Sequence, residues 1–258
     1  MVTGLTLFAR HFRGHGDQYA LIGGTACDLV LDAAGLPFRS TKDLDIVLLL
    51  TADFTDFAAS LWEFLTAGGY GSLEAAPDRR CFYRFQRPAN QEYPAMIELF
   101  SRVPDALAID DDAHLTPIPV DGSVQSLSAI LLDTDYSEMI DAGRVHFPLE
   151  GEADLAVSCV AASGLIPLKA KAWLDLTERK DRGDSVDSGD IKKHFRDVYR
   201  LSQVVDPGDP VQLPSSVAVD LSSFLAMADA EAFDPAAIGL RNISRDEIHS
   251  TLRAVYKL

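Results

Sequence analysis

Two short apolar runs, each joined to a distinctive polar segment, constrain this chain more than any other feature. The first run, Tyr19–Ile22, ends in a Gly-Gly-Thr segment at 23–25. The second begins directly after an Asp-Leu-Asp segment at 43–45 and continues to Leu50. Short apolar runs bounded by turn or polar residues are typical of buried strands. The pattern therefore predicts two core strands with small or acidic residues at their ends.

The remaining periodicity predicts the order α, β, α, β, α, β, β over the first hundred residues, followed by a helical region. The predicted helices span 5–15, 25–34, 54–65, 169–178, 190–202, 214–230 and 244–256, and the predicted strands span 19–22, 45–50, 81–86 and 95–100. Residues 105–151 are predicted to form further strands and loops, with turns at 121–122 and 142–143. This order predicts an α/β (α+β) fold, in which a mixed twisted sheet with flanking helices contains at least one parallel crossover.

The domain organisation follows from the same change of pattern. We predict an α/β domain over 1–160, with a core at about 1–102 and an acidic, strand-rich extension at 103–160. A helical domain follows at 161–258. The extension carries twelve acidic residues against one arginine over 103–154, whereas 169–200 carries nine basic against seven acidic residues. The charge of the second segment is compatible with a localised phosphate-binding surface and equally with a solvated helix of mixed charges.

The overall composition excludes several classes of protein. A net charge of −16 argues against a surface that binds nucleic acid throughout, and no DNA readout is expected. The chain has no apolar run long enough to cross a membrane and no recognisable signal peptide. Its three cysteines fit neither a metal knuckle nor a disulfide framework, so reduced thiols in a cytoplasmic protein are expected.

The acidic residues suggest a metal site. Asp43 and Asp45 project from one face at the start of a strand, because side chains alternate with a period of two. Glu98 is a lone acid between apolar neighbours on a later strand, where an uncompensated carboxylate is costly. A Mg²⁺ or Mn²⁺ ion shared by the three carboxylates would compensate it. An ion pair with Arg84 or Arg102 is the alternative.

The glycine segment suggests a place for phosphates. Gly23 and Gly24 allow close approach to the backbone, and the helix that follows offers free N–H groups and the positive end of its dipole. Thr25 adds a hydroxyl group. Either segment alone is a weak signal, but a phosphate site and an acid pair on either side of one helix together indicate a nucleoside triphosphate and its metal ions. The attack on an α-phosphate commonly uses two such ions.

These residues resemble a known family. The Gly-Gly-Thr segment, a helix, and the segment Arg-Ser-Thr-Lys-Asp-Leu-Asp at 39–45 are similar to the DNA-polymerase-β-like nucleotidyltransferase superfamily. Within it, the chain most resembles the AbiEii/MenT type of abortive-infection and toxin–antitoxin nucleotidyltransferases. The resemblance implies that Asp43 and Asp45 bind the metal and that Arg39 belongs to the site. The spacer of seventeen residues between the two segments is longer than is usual in the superfamily.

The resemblance reappears in the helical region. A lysine on one helix followed by an aspartate opening another looks like Lys169 or Lys171 followed by Asp190. By this resemblance one of the lysines holds the triphosphate and Asp190 serves the site, so that the helical domain completes the nucleotide site. The choice between the lysines is open. Lysine is a suitable point charge for a phosphate group.

The resulting hypothesis is a Mg²⁺-dependent nucleotidyltransferase that moves a nucleoside monophosphate from an NTP to an acceptor hydroxyl. In this hypothesis Asp43 and Asp45 bind the metal ions, and Glu98 either completes the metal site or acts as the base toward the acceptor. The resemblance implies an RNA or tRNA acceptor and a cognate antitoxin, whereas the acidic charge suggests a small-molecule or protein acceptor. Two alternatives come from other classes: a non-catalytic protein that binds a nucleotide or a partner, and a glycosyltransferase, which can also use Asp-x-Asp. Trp62 and Trp173 are predicted to be core residues.

Overall fold

The structure is a computed structural model that describes residues 2–49, 54–72, 82–101, 134–149 and 151–258. Its first part contains α1 (Leu5–His11), β1 (Tyr19–Ile22), α2 (Gly23–Ala33), β2 (Asp43–Leu48), α3 (Phe54–Gly68), β3 (Gly71–Ser72), β4 (Phe82–Gln86) and β5 (Met96–Ser101). The remainder contains α4 (Thr134–Ala142), β6 (Arg144–Leu149), β7 (Glu152–Val160), α5 (Ala162–Asp181), α6 (Ser188–Leu201), α7 (Ser215–Ala228) and α8 (Arg245–Tyr256). Two short 3₁₀ helices span Ser202–Val204 and Pro235–Ile238.

The chain divides into two compact units. The first contains α1, the start of α2, α3 and the seven described strands, and the second contains the end of α2, α4 and α5 to α8. In the residues described, no helix is both long and apolar enough to span a bilayer.

The first unit is built on a mixed sheet with the strand order β3-β4-β5-β2-β1-β7-β6. The two central strands, β1 and β2, are antiparallel, whereas β2 pairs with β5 and β1 pairs with β7 in parallel. This confirms the predicted α/β fold with a mixed sheet and flanking helices. The parallel β2–β5 pair supplies the expected crossover, because α3 lies between these two strands in sequence.

An aromatic cluster fixes α1 and α3 against the sheet. The rings of Phe8 and Tyr19 meet edge to face with their centroids 5.3 Å apart, and Phe8 and Phe64 do so at 5.7 Å. Phe12, just beyond α1, packs on Phe57 of α3 at 5.2 Å. These side chains are fully buried. Large buried rings contribute much of a core's stability. This cluster therefore holds the apolar faces of the two amphipathic helices against the sheet.

The second unit is a group of helices with well-defined ends. Asp187 caps α6, because its side chain accepts a hydrogen bond from the Gly189 amide at 2.7 Å. Ser244 and Glu247 form a reciprocal capping box at the start of α8. Trp173 of α5 is 3% exposed and meets Phe224 of α7 edge to face, which confirms its prediction as a core residue.

Three local predictions differ from the structure. The Gly-Gly-Thr segment forms the first turn of α2 and does not precede the helix as a separate turn. Residues 134–142, predicted to be strand or loop, form helix α4, whose end coincides with the turn predicted at Ala142-Gly143. The long strand β7 was not predicted individually. The turn predicted at 121–122 and the alternative ion-pair partner Arg102 lie outside the described residues.

Candidate functional site

The strand register aligns two of the predicted carboxylates, those of Asp45 and Glu98, across the sheet. Asp45 of β2 lies opposite Ile22, the last residue of β1, and on its other side opposite Glu98 of β5. Glu98 in turn lies opposite Arg84 of β4. Asp43 is two residues before Asp45 and shares its half-buried face, whereas Leu44 between them is buried. The structure therefore brings Asp43, Asp45 and Glu98 to one face of two neighbouring strands, β2 and β5.

Glu98 is compensated by an arginine and adjoins an acid. Arg84 Nε donates to Glu98 Oε1 at 2.6 Å, which is the alternative partner expected from the sequence. The pKa of Glu98 is raised to about 8. Burial is the largest cause, the neighbouring Asp45 charge and the hydrogen bond between the two carboxyl groups also raise this pKa, and Arg84 opposes them. Two hydrogen-bonded carboxyl groups need a proton or a cation between them, so this pair of strands favours a positive ligand.

The two glycines leave the space that these groups occupy. Gly23 has a positive φ of 67°, and a side chain there would overlap the Asp45 carboxylate. At Gly24, a Cβ atom would lie 2.6 Å from Thr41 Oγ1 and 3.4 Å from a guanidinium nitrogen of Arg39. The first turn of α2 thus lies directly against Asp45 and the Arg39 side chain. Backbone N–H groups at a helix start beside an arginine are suited to an anion.

Thr25 has a structural role in this arrangement. Its hydroxyl group donates to the main-chain carbonyl of Asp43 at 2.6 Å, and the residue is fully buried. The hydroxyl predicted to bind phosphate is therefore engaged with the protein. The bond ties the first turn of α2 to the start of β2, and so fixes Asp43 relative to the glycines.

In the helical unit, Lys169 forms part of a buried ion pair. Its ammonium lies 3.4 Å from Asp197 Oδ2, and Arg200 donates to the other Asp197 oxygen at 3.3 Å. Lys169 is 4% exposed and Asp197 is fully buried. A buried carboxylate with two cationic partners is stable only while they remain, so these residues hold α5 and α6 together.

Lys171 is the more accessible of the two predicted lysines. Its ammonium lies 3.2 Å from Asp175 and 3.5 Å from Asp220 of α7, and Tyr136 of α4 also donates to Asp220, at 3.0 Å. Burial lowers the pKa of Lys171, but the two carboxylates outweigh that effect and the pKa is raised. Lys171 thus stays charged at neutral pH.

Asp190 is the third residue of α6 and pairs with Lys193 at 3.0 Å. The sequence predicted that Asp190 opens this helix. The N-terminal cap is instead Asp187, and Asp190 lies about one turn further along the helix. Asp190 is half-exposed and remains accessible beside the start of the helix.

Sequence reasoning missed the partners of the lysines. Asp197 stands among the buried residues Phe195, Val198 and Tyr199 of α6. An acid within an apolar helical stripe implies a buried cation, and that signal could have identified the pair with Lys169. Thr41 was also missed, because its contact with Gly24 depends on the path of a loop.

The donor set fits a magnesium ion that is shared with a substrate. In the described ranges, no group of three or more His, Cys, Asp or Glu side chains is arranged to hold a metal by itself. Mg²⁺ is commonly bound through one or two carboxylates together with substrate phosphates and waters. Asp43 and Asp45, on one face beside the helix start, match that smaller requirement.

The fold that presents these carboxylates beside a glycine-rich helix start is shared with a solved structure. An antigenic nucleotidyltransferase-like protein from Paracoccidioides brasiliensis matches it with a TM-score of 0.54 at 16% identity, over 98% of this chain and 92% of that chain. No curated protein matches the chain.

The family is shown by sequence. The model described as "Nucleotidyl transferase AbiEii toxin, Type IV TA system" matches residues 6–256, so the chain belongs to the AbiEii nucleotidyltransferase family. This confirms the resemblance noted in the sequence and makes the protein a nucleotidyltransferase of a toxin–antitoxin family. Membership implies a cognate antitoxin as a partner.

Proposed function

We propose that this protein transfers a nucleoside monophosphate from an NTP to an RNA hydroxyl, with Mg²⁺ or Mn²⁺ held by Asp43 and Asp45. The observation that carries the proposal is the packing of the Asp45 carboxylate against Gly23, at the first turn of α2. A metal ligand and a phosphate-binding helix start are thereby adjacent. The ion, when bound, would neutralise charge that develops on the phosphates.

Each residue of the first unit has a defined task in this proposal. The first N–H groups of α2, at Gly23 and Gly24, would donate hydrogen bonds to phosphate oxygens. Beside Gly24, Arg39 would add a charge-assisted hydrogen bond. Thr25 positions Asp43 through its main chain. Glu98, held by Arg84 and hydrogen-bonded to Asp45, orients the Asp45 carboxylate. Because Glu98 is already engaged with both Arg84 and Asp45, we propose this orienting role for it in place of the base or metal ligand.

From the helical unit, we propose that Lys171 contacts the triphosphate. Its side chain is 26% exposed, whereas that of Lys169 is 5% exposed and paired with the buried Asp197. Phosphate oxygens would replace part of the interaction of Lys171 with Asp175 and Asp220. Lys169 is then a structural residue, and Asp190 remains an accessible acid at the start of α6.

The RNA acceptor is proposed from the family, because toxins of this kind must act on a cellular component. The net charge of −16 would favour a small-molecule or protein acceptor. The experiment must therefore identify the labelled species and not presuppose RNA.

The test incubates the protein with each α-³²P-labelled NTP, magnesium and total cellular RNA, and in parallel with ribosome-free lysate. We expect a labelled RNA band that needs divalent metal and is lost in Asp43→Asn. Asp32→Asn, an exposed acid of α2, is the matched control. Label on protein or on a small molecule would replace the proposed acceptor. Absence of metal-dependent label on any species would contradict the transfer itself.

A further inference from the structure

The helical unit contains an open cleft of about 340 Å³ between α5 and α6. Residues at helical spacing line it from α5, among them Trp173, Thr177 and Lys180. The loop that follows α7 closes one side with Phe233. The volume lies at the small end of the range for small-molecule sites, which begins at about 300 Å³. None of the residues to which the preceding sections give a role in transfer lines it.

The floor of the cleft is aromatic. Trp173 and Phe195 have ring centroids 5.5 Å apart, and Phe233 meets Phe195 edge to face at 5.1 Å. The first two rings are buried, whereas Phe233 is half-exposed. The accessible part of Phe233, backed by the two buried rings, is a surface on which a planar aromatic group such as a nucleobase can stack.

Cations stand along one edge of the floor. Lys192 and Arg196 are separated by one turn of α6, both line the cleft, and both are exposed. Neither forms an ion pair or a side-chain hydrogen bond within the part of the chain that the structure describes. Lys180, across the cleft, donates to Ser188 Oγ at 3.1 Å. Two unengaged cations one turn apart suit a phosphate group.

The polar groups that remain match the rest of a nucleotide. Asp181 and Glu231 bring carboxylates to the rim, and a carboxylate is a common acceptor for ribose hydroxyls. Among the described residues, Thr177 Oγ1 is buried without a hydrogen-bond partner, and such a group in a native protein calls for an explanation.

From the aromatic floor, the paired cations and the rim acids, we propose that this cleft binds one nucleotide, with its base on Phe233 and its phosphate on Lys192 and Arg196. This site goes beyond the transfer proposed above and does not depend on it. The nucleotide is either free or part of a single-stranded RNA, since both present the same base, ribose and phosphate.

The test measures binding to the full-length Asp45→Asn protein by calorimetry, in EDTA, so that neither metal nor turnover contributes. The probes are AMP, ribose 5-phosphate and a five-nucleotide single-stranded RNA. We expect AMP to bind about tenfold or more tightly than ribose 5-phosphate, because only AMP carries a base that can stack. Binding of RNA more tightly than AMP would assign the cleft to the RNA, and equal binding would assign it to the free nucleotide.

Two variants separate the parts of the site. Lys192→Ala/Arg196→Ala should weaken all three probes by about tenfold or more, since both phosphate contacts are lost. Phe233→Leu should weaken AMP and leave ribose 5-phosphate unchanged. Arg241→Ala, an exposed cation outside the cleft, is the matched control. Thermal melting checks that Phe233→Leu folds, because Phe233 also packs on Tyr199.

The proposal is overturned if AMP binds no better than ribose 5-phosphate, or if AMP binding survives the double substitution. Because no labelled product is measured, these outcomes are distinct from failure of the transferase test. Conversely, loss of transfer in Asp43→Asn says nothing about binding at this cleft.

Discussion

The two units place their buried charges in opposite ways. In the sheet unit, two acids are adjacent, since Asp45 and Glu98 are hydrogen-bonded, and Arg84 pairs with Glu98. In the helical unit, the buried acid Asp197 is paired with Lys169 and Arg200. The first arrangement sets two acids against one arginine, whereas the second surrounds one acid with two cations.

This difference separates a binding site from a structural ion pair. Two adjacent carboxylates repel each other until a cation or a proton lies between them. A protein that keeps such a pair gives up stability, and this is typical of a ligand-binding site. A neutralised cluster needs no ligand, and removal of one member damages the fold instead. Substitutions in the first region should therefore affect activity more than stability, and the reverse should hold in the second.

The largest expected effect is that of Asp45→Asn. Loss of a metal ligand should reduce transfer by about three orders of magnitude, which corresponds to about 4 kcal/mol. The thermal midpoint should stay equal or rise, because one of two adjacent acids is removed. Labelling kinetics and calorimetric melting measure both quantities. A variant that is inactive because it is unfolded would contradict the comparison.

Lys169→Met should affect the fold first. It leaves Asp197 buried with Arg200 as its remaining cationic partner, and we expect a loss of about 3 kcal/mol in unfolding free energy. Lys171→Met should cost about 1 kcal/mol or less, because its partners are partly exposed, and should raise KM for the NTP. Urea denaturation compares the pair. Equal destabilisation would show that accessibility does not distinguish these lysines.

Gly23→Ala tests the contact between α2 and Asp45. The substitution imposes a strained positive φ, at a cost of about 1 kcal/mol, and forces the new methyl group against the Asp45 carboxylate. Gly35→Ala is the matched control, because Gly35 has a φ of 70° and open space around its Cα. Both should lose stability, but transfer should fall in Gly23→Ala alone. Equal transfer activity in the two variants would contradict a role in transfer for the contact between Gly23 and Asp45.

The smallest effect concerns His249 of α8, which hydrogen-bonds Tyr199 at 2.7 Å and Asp229 at 2.9 Å. Burial lowers the pKa of His249, although Asp229 opposes this. The unfolded chain therefore takes up this proton first, and stability falls as the pH drops below about 6.5. His249→Gln should flatten the pH dependence of unfolding between about pH 7 and 5. The exposed His146→Gln should not, and identical slopes in both would refute the assignment.

Much of the fold was predictable because its signals are local. The predicted strand at 19–22 has the bounds of β1, and the helix predicted from Phe54 is α3. Helix α4 was missed because its apolar residues at helical spacing, Tyr136, Met139 and Ile140, span little more than one turn, and three acids stand among them. The pairing of β7 beside β1 could not be predicted, because these strands are more than a hundred residues apart.

The candidate site shows the same limit at the level of single residues. The common face of Asp43 and Asp45 follows from the period of a strand, and an arginine partner for Glu98 was one of two alternatives. The engagement of the Thr25 hydroxyl with Asp43 could not be predicted, because it depends on how α2 meets β2.

The sequence by itself determined the family, the acid pair and the glycines at the helix start, because each is written in neighbouring residues. The tertiary structure alone decided that Asp45 lies between Gly23 and Glu98, and that Lys169 forms an ion pair with Asp197. The physical reason is that side-chain periodicity is a property of the local backbone. Strand order and helix packing instead bring together residues that are far apart in sequence, and the local pattern around each residue does not indicate its partner.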